Sequence, residues 1–205
     1  MRTWKWVLVL TAPVLWVAAA RPADRLLPER TTIELLLLRQ KSVQKELGIS
    51  DDVAKKIMTF TNEQAEAARK VLESPEAQHK AAFEQLGEKN KKFLADTLNA
   101  KQNTRLEQIY LQFTATHQLT RPEVAKALNL TADQQQKCKD LHAEYHKELT
   151  EILFGTDTKG RGEKFAKLRD KARDKIQSIL TDKQQAQARE RVGPLFTGEI
   201  VFEKD

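Results

Sequence analysis

Apolar residues return every third or fourth position along most of this chain, the period of a helix with one buried face. Ile57, Phe60, Ala68 and Val71 form one such stripe, and Cys138, Leu141, Tyr145, Leu149 and Ile152 form another. Phe83, Leu86, Leu94 and Leu98 make a third, and Phe165, Leu168, Ile176 and Leu180 a fourth. The stripes stop at Gly48, at "ESPE", at "FGTDTKGRG" and at "VGP", the punctuation expected at helix ends. The pattern predicts short helices over 33–47 and 121–129 and long ones over 50–73 and 131–154. Further helices are predicted over 76–97 and 162–180, then over 99–117 and 181–192. Only "EIVFE" (199–203) has the alternation of a strand. The short run "IELLLL" (33–38) is apolar on every side, so it must be buried on more than one face. The fold class is all-α.

The stripes repeat. "SVQKELGIS" (42–50) lies over "EVAKALNLT" (123–131) at an offset of 81, matching Val43 with Val124 and Leu47 with Leu128. Beyond a loop of differing length the offset is 82, which sets Phe83 on Phe165 and "LNAKQ" (98–102) on "LTDKQ" (180–184). Agreement of polar string and apolar stripe over about seventy residues reads as an internal duplication. Repeat 1 spans 33–117 and repeat 2 spans 120–198, with a tail over 199–205. The halves are expected to pack through the helices bearing Phe83 and Phe165, or through the short first helices.

Four strings share one shape: "ISDDV" (49–53), "LNAKQ" (98–102), "LTADQ" (130–134) and "LTDKQ" (180–184). Thr131 with Gln134, and Thr181 with Gln184, have the spacing of a capping box, in which each side chain bonds the other residue's backbone N–H. Asn99 with Gln102 is a variant, and Ser50 with Val53 keeps half of it. Leu98, Leu130 and Leu180, just before, point into the core and anchor each turn. These residues are structural.

Paired "LTxxQ" strings in a small, charged, helical chain resemble the periplasmic LTxxQ-motif proteins, the Spy/CpxP group of ATP-independent chaperones and envelope-stress regulators. The resemblance rests on "LTADQ" and "LTDKQ", with "LNAKQ" and "ISDDV" as degraded copies. It implies a curved cradle of helices, usually dimeric, whose concave face holds partly unfolded clients. Four strings in two repeats depart from that pattern, so the expectation is either a homodimer or a pseudo-dimer whose two halves the duplication supplies in one chain.

The amino terminus bears on location. "MRTWKWVLVLTAPVLWVAAA" (1–20) carries Arg2 and Lys5, an apolar run and a small-residue exit, the layout of a secretory signal peptide. Its apolar run is shorter than the roughly 20 residues of a membrane span. The expectation is a periplasmic or secreted protein that begins near Arg21 and has no membrane span. Loss of Arg2 and Lys5 lowers the formal charge from +6 to +4, and interleaved acids and bases of that balance do not make a nucleic-acid binder. One cysteine allows no internal disulfide, so stability must come from packing.

Candidate chemistry centres on Cys138, His142 and His146, set four residues apart on one helix. Each step of four drifts about 40° around the helix. Cys138 therefore falls on the buried stripe, in the slot that Ile57 fills in the other repeat. His142 falls at the stripe's edge and His146 near water. A zinc site here would have to borrow a ligand such as Glu148. The bland reading, a core cysteine beside two surface histidines, is preferred. Neither paired carboxylates such as Asp51–Asp52, placed to favour a helix dipole, nor the scattered glycines suggest catalysis. Lys164, Lys167, Arg169, Lys171, Arg173 and Lys175 spread around one helix, which favours a solvated face over an anion groove.

The leading expectation is a non-enzymatic protein, needing no cofactor, that binds unfolded or partner proteins as a holdase chaperone or envelope-stress regulator. The alternatives are a structural or assembly module of the cell envelope and a zinc-responsive envelope protein.

Overall fold

The computed structural model describes residues 30–157 and 159–201, so the signal-peptide expectation over 1–20 lies outside the described residues. The described residues form ten helices and no strand. In the amino-terminal half these are α1 (Arg30–Leu38), α2 (Lys41–Glu46), α3 (Asp51–Glu73), α4 (Glu76–Thr97) and α5 (Ala100–Phe113). The short α6 (Ala115–Gln118) leads into α7 (Pro122–Ala127), α8 (Ala132–Phe154), α9 (Arg161–Ile179) and α10 (Asp182–Val192). None of these helices is long and apolar enough to cross a membrane.

The first apolar run is covered on several sides. Helix α1 packs against α3, α4 and α5, which bury Leu35, Leu37 and Leu38. Its one buried charge, Glu34, pairs with Arg30 at 2.8 Å, and Arg30 also reaches Glu107 at 3.1 Å.

Two predicted helices are each broken once, and in both cases side chains take the backbone's bonds. The segment 33–47 splits at Gln40, which is extended, while the Gln44 amide donates to the Leu38 carbonyl (2.8 Å). Arg39 turns away to Thr61 and Asn62 on α3 (3.1 and 2.7 Å). The segment 99–117 breaks at Thr114, whose hydroxyl donates back to the Tyr110 carbonyl (2.8 Å), a bond that bends helices. The Gln118 amide then closes over the Thr114 hydroxyl (3.1 Å). Helices α2 and α7 end alike, in a left-handed residue, Gly48 (φ 62°) and Asn129 (φ 50°). There the Ile49 and Leu130 N–H groups donate to the carbonyls of Gln44 and Ala125, both at 2.9 Å.

The main core lies in the amino-terminal half around Leu38, Val43, Ile57, Leu106 and Ile109, and it includes Phe196 from the far end of the chain. After α10 the backbone turns at Gly193 and runs back over that half. Gln112 donates to the carbonyls of Val192 and Pro194 (both 2.8 Å) and accepts from the Phe196 N–H (2.8 Å). Arg105 donates to the Pro194 carbonyl (2.8 Å), Ser42 to the Glu199 carbonyl (2.5 Å), and the Val201 N–H to Gln40 (2.9 Å). The described part of "EIVFE" is thus a strap held by side chains. It forms no ladder, because the helices it crosses leave no free sheet edge to pair with.

The halves also meet where α5 packs on α10 and α6 on α8. Of the two phenylalanines expected at this junction, Phe165 is buried against Phe113 (ring centroids 5.9 Å apart), whereas Phe83 is exposed on α4. Phe196 of the strap meets the same Phe113 ring, with centroids 6.1 Å apart. Phe196 is 3% exposed. Phe196→Ala should therefore cost about 3 kcal/mol of unfolding free energy, checked by urea unfolding followed by helical signal. A loss below about 1 kcal/mol would mean that the strap is dispensable.

Candidate functional site

The repeated strings sit at the starts of α3, α5, α8 and α10. At α8 the Thr131 N–H donates to Gln134 Oε1 (3.0 Å) and the Gln134 N–H to Thr131 Oγ1 (3.2 Å). At α10 the same pair of bonds joins Thr181 and Gln184 (2.9 and 3.3 Å), and at α5 it joins Asn99 and Gln102 (3.0 and 2.9 Å). Ser50 accepts only from the Val53 N–H, at 3.5 Å, because valine has nothing to return. Leu98, Leu130 and Leu180 are buried beneath these turns.

The spacing did not reveal what the glutamine amides do with their other end. Gln134 Nε2 donates to the Ile179 carbonyl at the end of α9 and to Gln184 Oε1, both at 2.8 Å. Gln184 Nε2 donates to the Leu128 carbonyl at the end of α7 (3.2 Å) and to Gln134 Oε1 (3.1 Å). Each glutamine thus caps its own helix, caps the end of another, and pairs with its counterpart. In the amino-terminal half Gln102 reaches the Leu47 carbonyl (3.1 Å), but Val53 leaves it without a matching amide.

Cys138 is 1% exposed and packs with Leu119, Leu128 and Leu180, and burial pushes its thiol pKa up, so it stays protonated. His142 lies at the junction with α6. There it meets His117 (ring centroids 5.4 Å apart) and the Thr116 hydroxyl (3.3 Å), with His146 next along the helix (6.2 Å). Burial holds His117 and His142 below the usual histidine range. His117 was not legible as a member of this cluster, since it lies on a four-residue helix outside any stripe. Glu148, named as a lendable ligand, bonds Lys171 instead (2.6 Å). Among the described residues no group of three or more His, Cys, Asp or Glu side chains is placed to hold a metal.

The lysines of the basic cluster on α9 all pair with carboxylates. Lys171 and Lys175 cross to Glu144 on α8 (3.0 and 2.5 Å), holding its carboxyl down at about 2. Lys164 pairs with Asp157 (2.5 Å) and Lys167 with Glu163 (2.7 Å). Arg169 and Arg173 instead line a cleft of about 700 Å³ where α5 and α6 meet α7, α9 and α10. Leu119, Val124, Leu128, Ile176, Leu180 and Ala188 supply much of its apolar lining. All its charged lining residues are arginines: Arg169, Arg173, Arg189 and Arg191.

A second kind of surface lies along the long helix pairs. Phe60 and Phe93 stack at the base of the α3–α4 pair (centroids 3.8 Å apart). Between Thr61 on α3 and Gly87 on α4 no residue is buried. Ala65, Ala68, Val71 and Leu72 stay partly exposed there, and Phe83 is 37% exposed. In the α8–α9 pair Leu149 and Ile152 are likewise only partly covered. Two helices alone cannot enclose their own apolar stripes.

Compared with known protein families, curated proteins and solved structures, the chain matches none.

The crossed amides make a quantitative demand. Gln134→Ala and Gln184→Ala should each cost about 1–2 kcal/mol, since each leaves caps and carbonyls without partners. In a double-mutant cycle the pair should couple by about 0.5–1 kcal/mol. Simple additivity would show that the two capping boxes act independently.

Proposed function

We propose that this chain is an exported, non-enzymatic protein that holds partly unfolded or partner proteins without an energy source, as a holdase chaperone or a regulator of envelope stress. The observation that carries the reading is the half-covered apolar seam along the α3–α4 pair, with Phe83 exposed on it. A seam of that kind gives weak, non-directional attraction to any exposed apolar segment. Charged side chains flank it, among them the Arg69 pairs with Glu66 and Glu73 (2.7 and 2.6 Å). They keep the surface soluble and limit contact to short apolar stretches. Weak, reversible contact of this sort needs no nucleotide to release a client. The resemblance of "LTADQ" and "LTDKQ" to the LTxxQ-motif chaperones points the same way.

The test is suppression of aggregation of an unfolding protein, without ATP, at near-stoichiometric ratio. The native chain should protect, and Phe83→Glu together with Val71→Glu should reduce protection several-fold while leaving helicity unchanged. Absence of protection by the native chain at several-fold excess would sink the chaperone reading.

A further inference from the structure

The cleft between the halves is chemically unlike the seams. Its lining is mostly apolar, its size falls within the roughly 300–1,000 Å³ of small-molecule sites, and its charged groups are all of one sign. The lysines of α9 are spent on carboxylates of their own fold, whereas Arg169, Arg189 and Arg191 form no ion pair among the described residues. Arg169 lies over the Phe113 ring (5.7 Å), and Arg189 donates to a neutral backbone carbonyl, that of Gln185 (3.3 Å). Arg173 is shared with Asp170 (3.1 Å) and Asp174 (4.0 Å), and Arg191 helps hold the Glu123 carboxyl below its usual range, behind Glu123's own backbone bond and Arg121. A ligand that fits must therefore be apolar along most of its length and negative at an end, where a guanidinium fork can take a carboxylate in two parallel bonds.

The cleft's polar lining argues against a peptide. A peptide brings one backbone donor and one acceptor per residue, and each needs a partner when buried. Five glutamines line the cleft, and three of their amides are engaged by the fold, which leaves Gln177 and Gln187 to serve a whole buried backbone. Gln112 is held by Val192, Pro194 and Phe196, Gln118 by Thr114, and Gln185 by the Leu180 carbonyl (3.0 Å). An alkyl chain makes no such demand. From this we propose that the cleft binds a medium-chain fatty acid, with its chain against Val124, Ile176 and Ala188 and its carboxylate on the arginines.

The site is separate from the α3–α4 seam, so loss of one activity would leave the other in place. Calorimetric titration of the native chain with sodium decanoate and dodecanoate, below their micelle concentrations, tests the proposal. Saturable binding of one molecule is expected, strengthening by up to about four-fold for each added methylene. Dodecyltrimethylammonium, with the same chain and the opposite charge, should bind at least about ten-fold more weakly. Arg173→Gln with Arg189→Gln should weaken dodecanoate about ten-fold at unchanged helicity. Should that variant lose helicity, the two head groups compared on the native chain decide the matter. Equal binding of the cationic and anionic probes, or no saturable dodecanoate binding, would overturn the proposal. So would attachment to phosphatidylglycerol–phosphatidylcholine vesicles without binding of free dodecanoate, which would mark a membrane-surface contact.

Discussion

A chain of amphipathic helices with a single cysteine must close its core by packing alone, and here the closure depends on Phe196. Its ring completes a core whose other members come from α1 to α5, more than eighty residues earlier in the chain. Burying one phenylalanine is worth about 1.5–3 kcal/mol relative to leaving it in water, a large share of a typical margin of stability. The strap that carries it is tied down at the Pro194 and Glu199 carbonyls and the Phe196 and Val201 N–H groups by Gln112, Arg105, Ser42 and Gln40. A half of about eighty residues is near the size at which one core is marginal. The amino-terminal half borrows its missing piece from the other end of the chain.

The carboxy-terminal half is organised by polar contacts. Gln134 and Gln184 start two helices, stop two others and bond each other, so the ends of α7 and α9 and the starts of α8 and α10 gather at one point. That point fixes the apolar lining of the cleft, since Leu128 and Leu180 flank the same junctions. Farther along α8 and α9, Glu144 clasps Lys171 and Lys175 and settles which side of α9 faces outward. Arg169 and Arg173, two positions from these lysines, line the cleft. A cation's role here follows from its angle on the helix.

Much of this was readable from the sequence. The long helices α3, α4, α8 and α9 begin and end within about two residues of where period and punctuation put them, because caps and stripes act locally. The breaks at Gln40 and Thr114 were not readable. Both depend on a side chain taking a backbone bond that the stripe assigns to the helix. The strap was missed for a different reason: a segment with no period of its own is placed by what it touches, and Phe196 touches residues distant in sequence. The second ends of the glutamine amides were hidden likewise. A capping box is legible from a spacing of three, but Gln134 to Ile179 and Gln184 to Leu128 are contacts that only the folded chain creates. His117 joined the histidine cluster through the same kind of long-range packing. On α9 the spread of charge was foreseen, and the sorting of lysine from arginine was not.

The central claim is that neither half is complete alone. Expressing residues 30–117 and 120–201 as separate chains tests it most directly, with helicity and melting followed for each and for their mixture. The amino-terminal piece, lacking Phe196 and α10, should unfold without a cooperative transition. Mixing should restore helicity and a cooperative melt. If each piece alone melts cooperatively at the temperature of the whole chain, the halves are independent units and the interlock through Phe196 stabilises nothing.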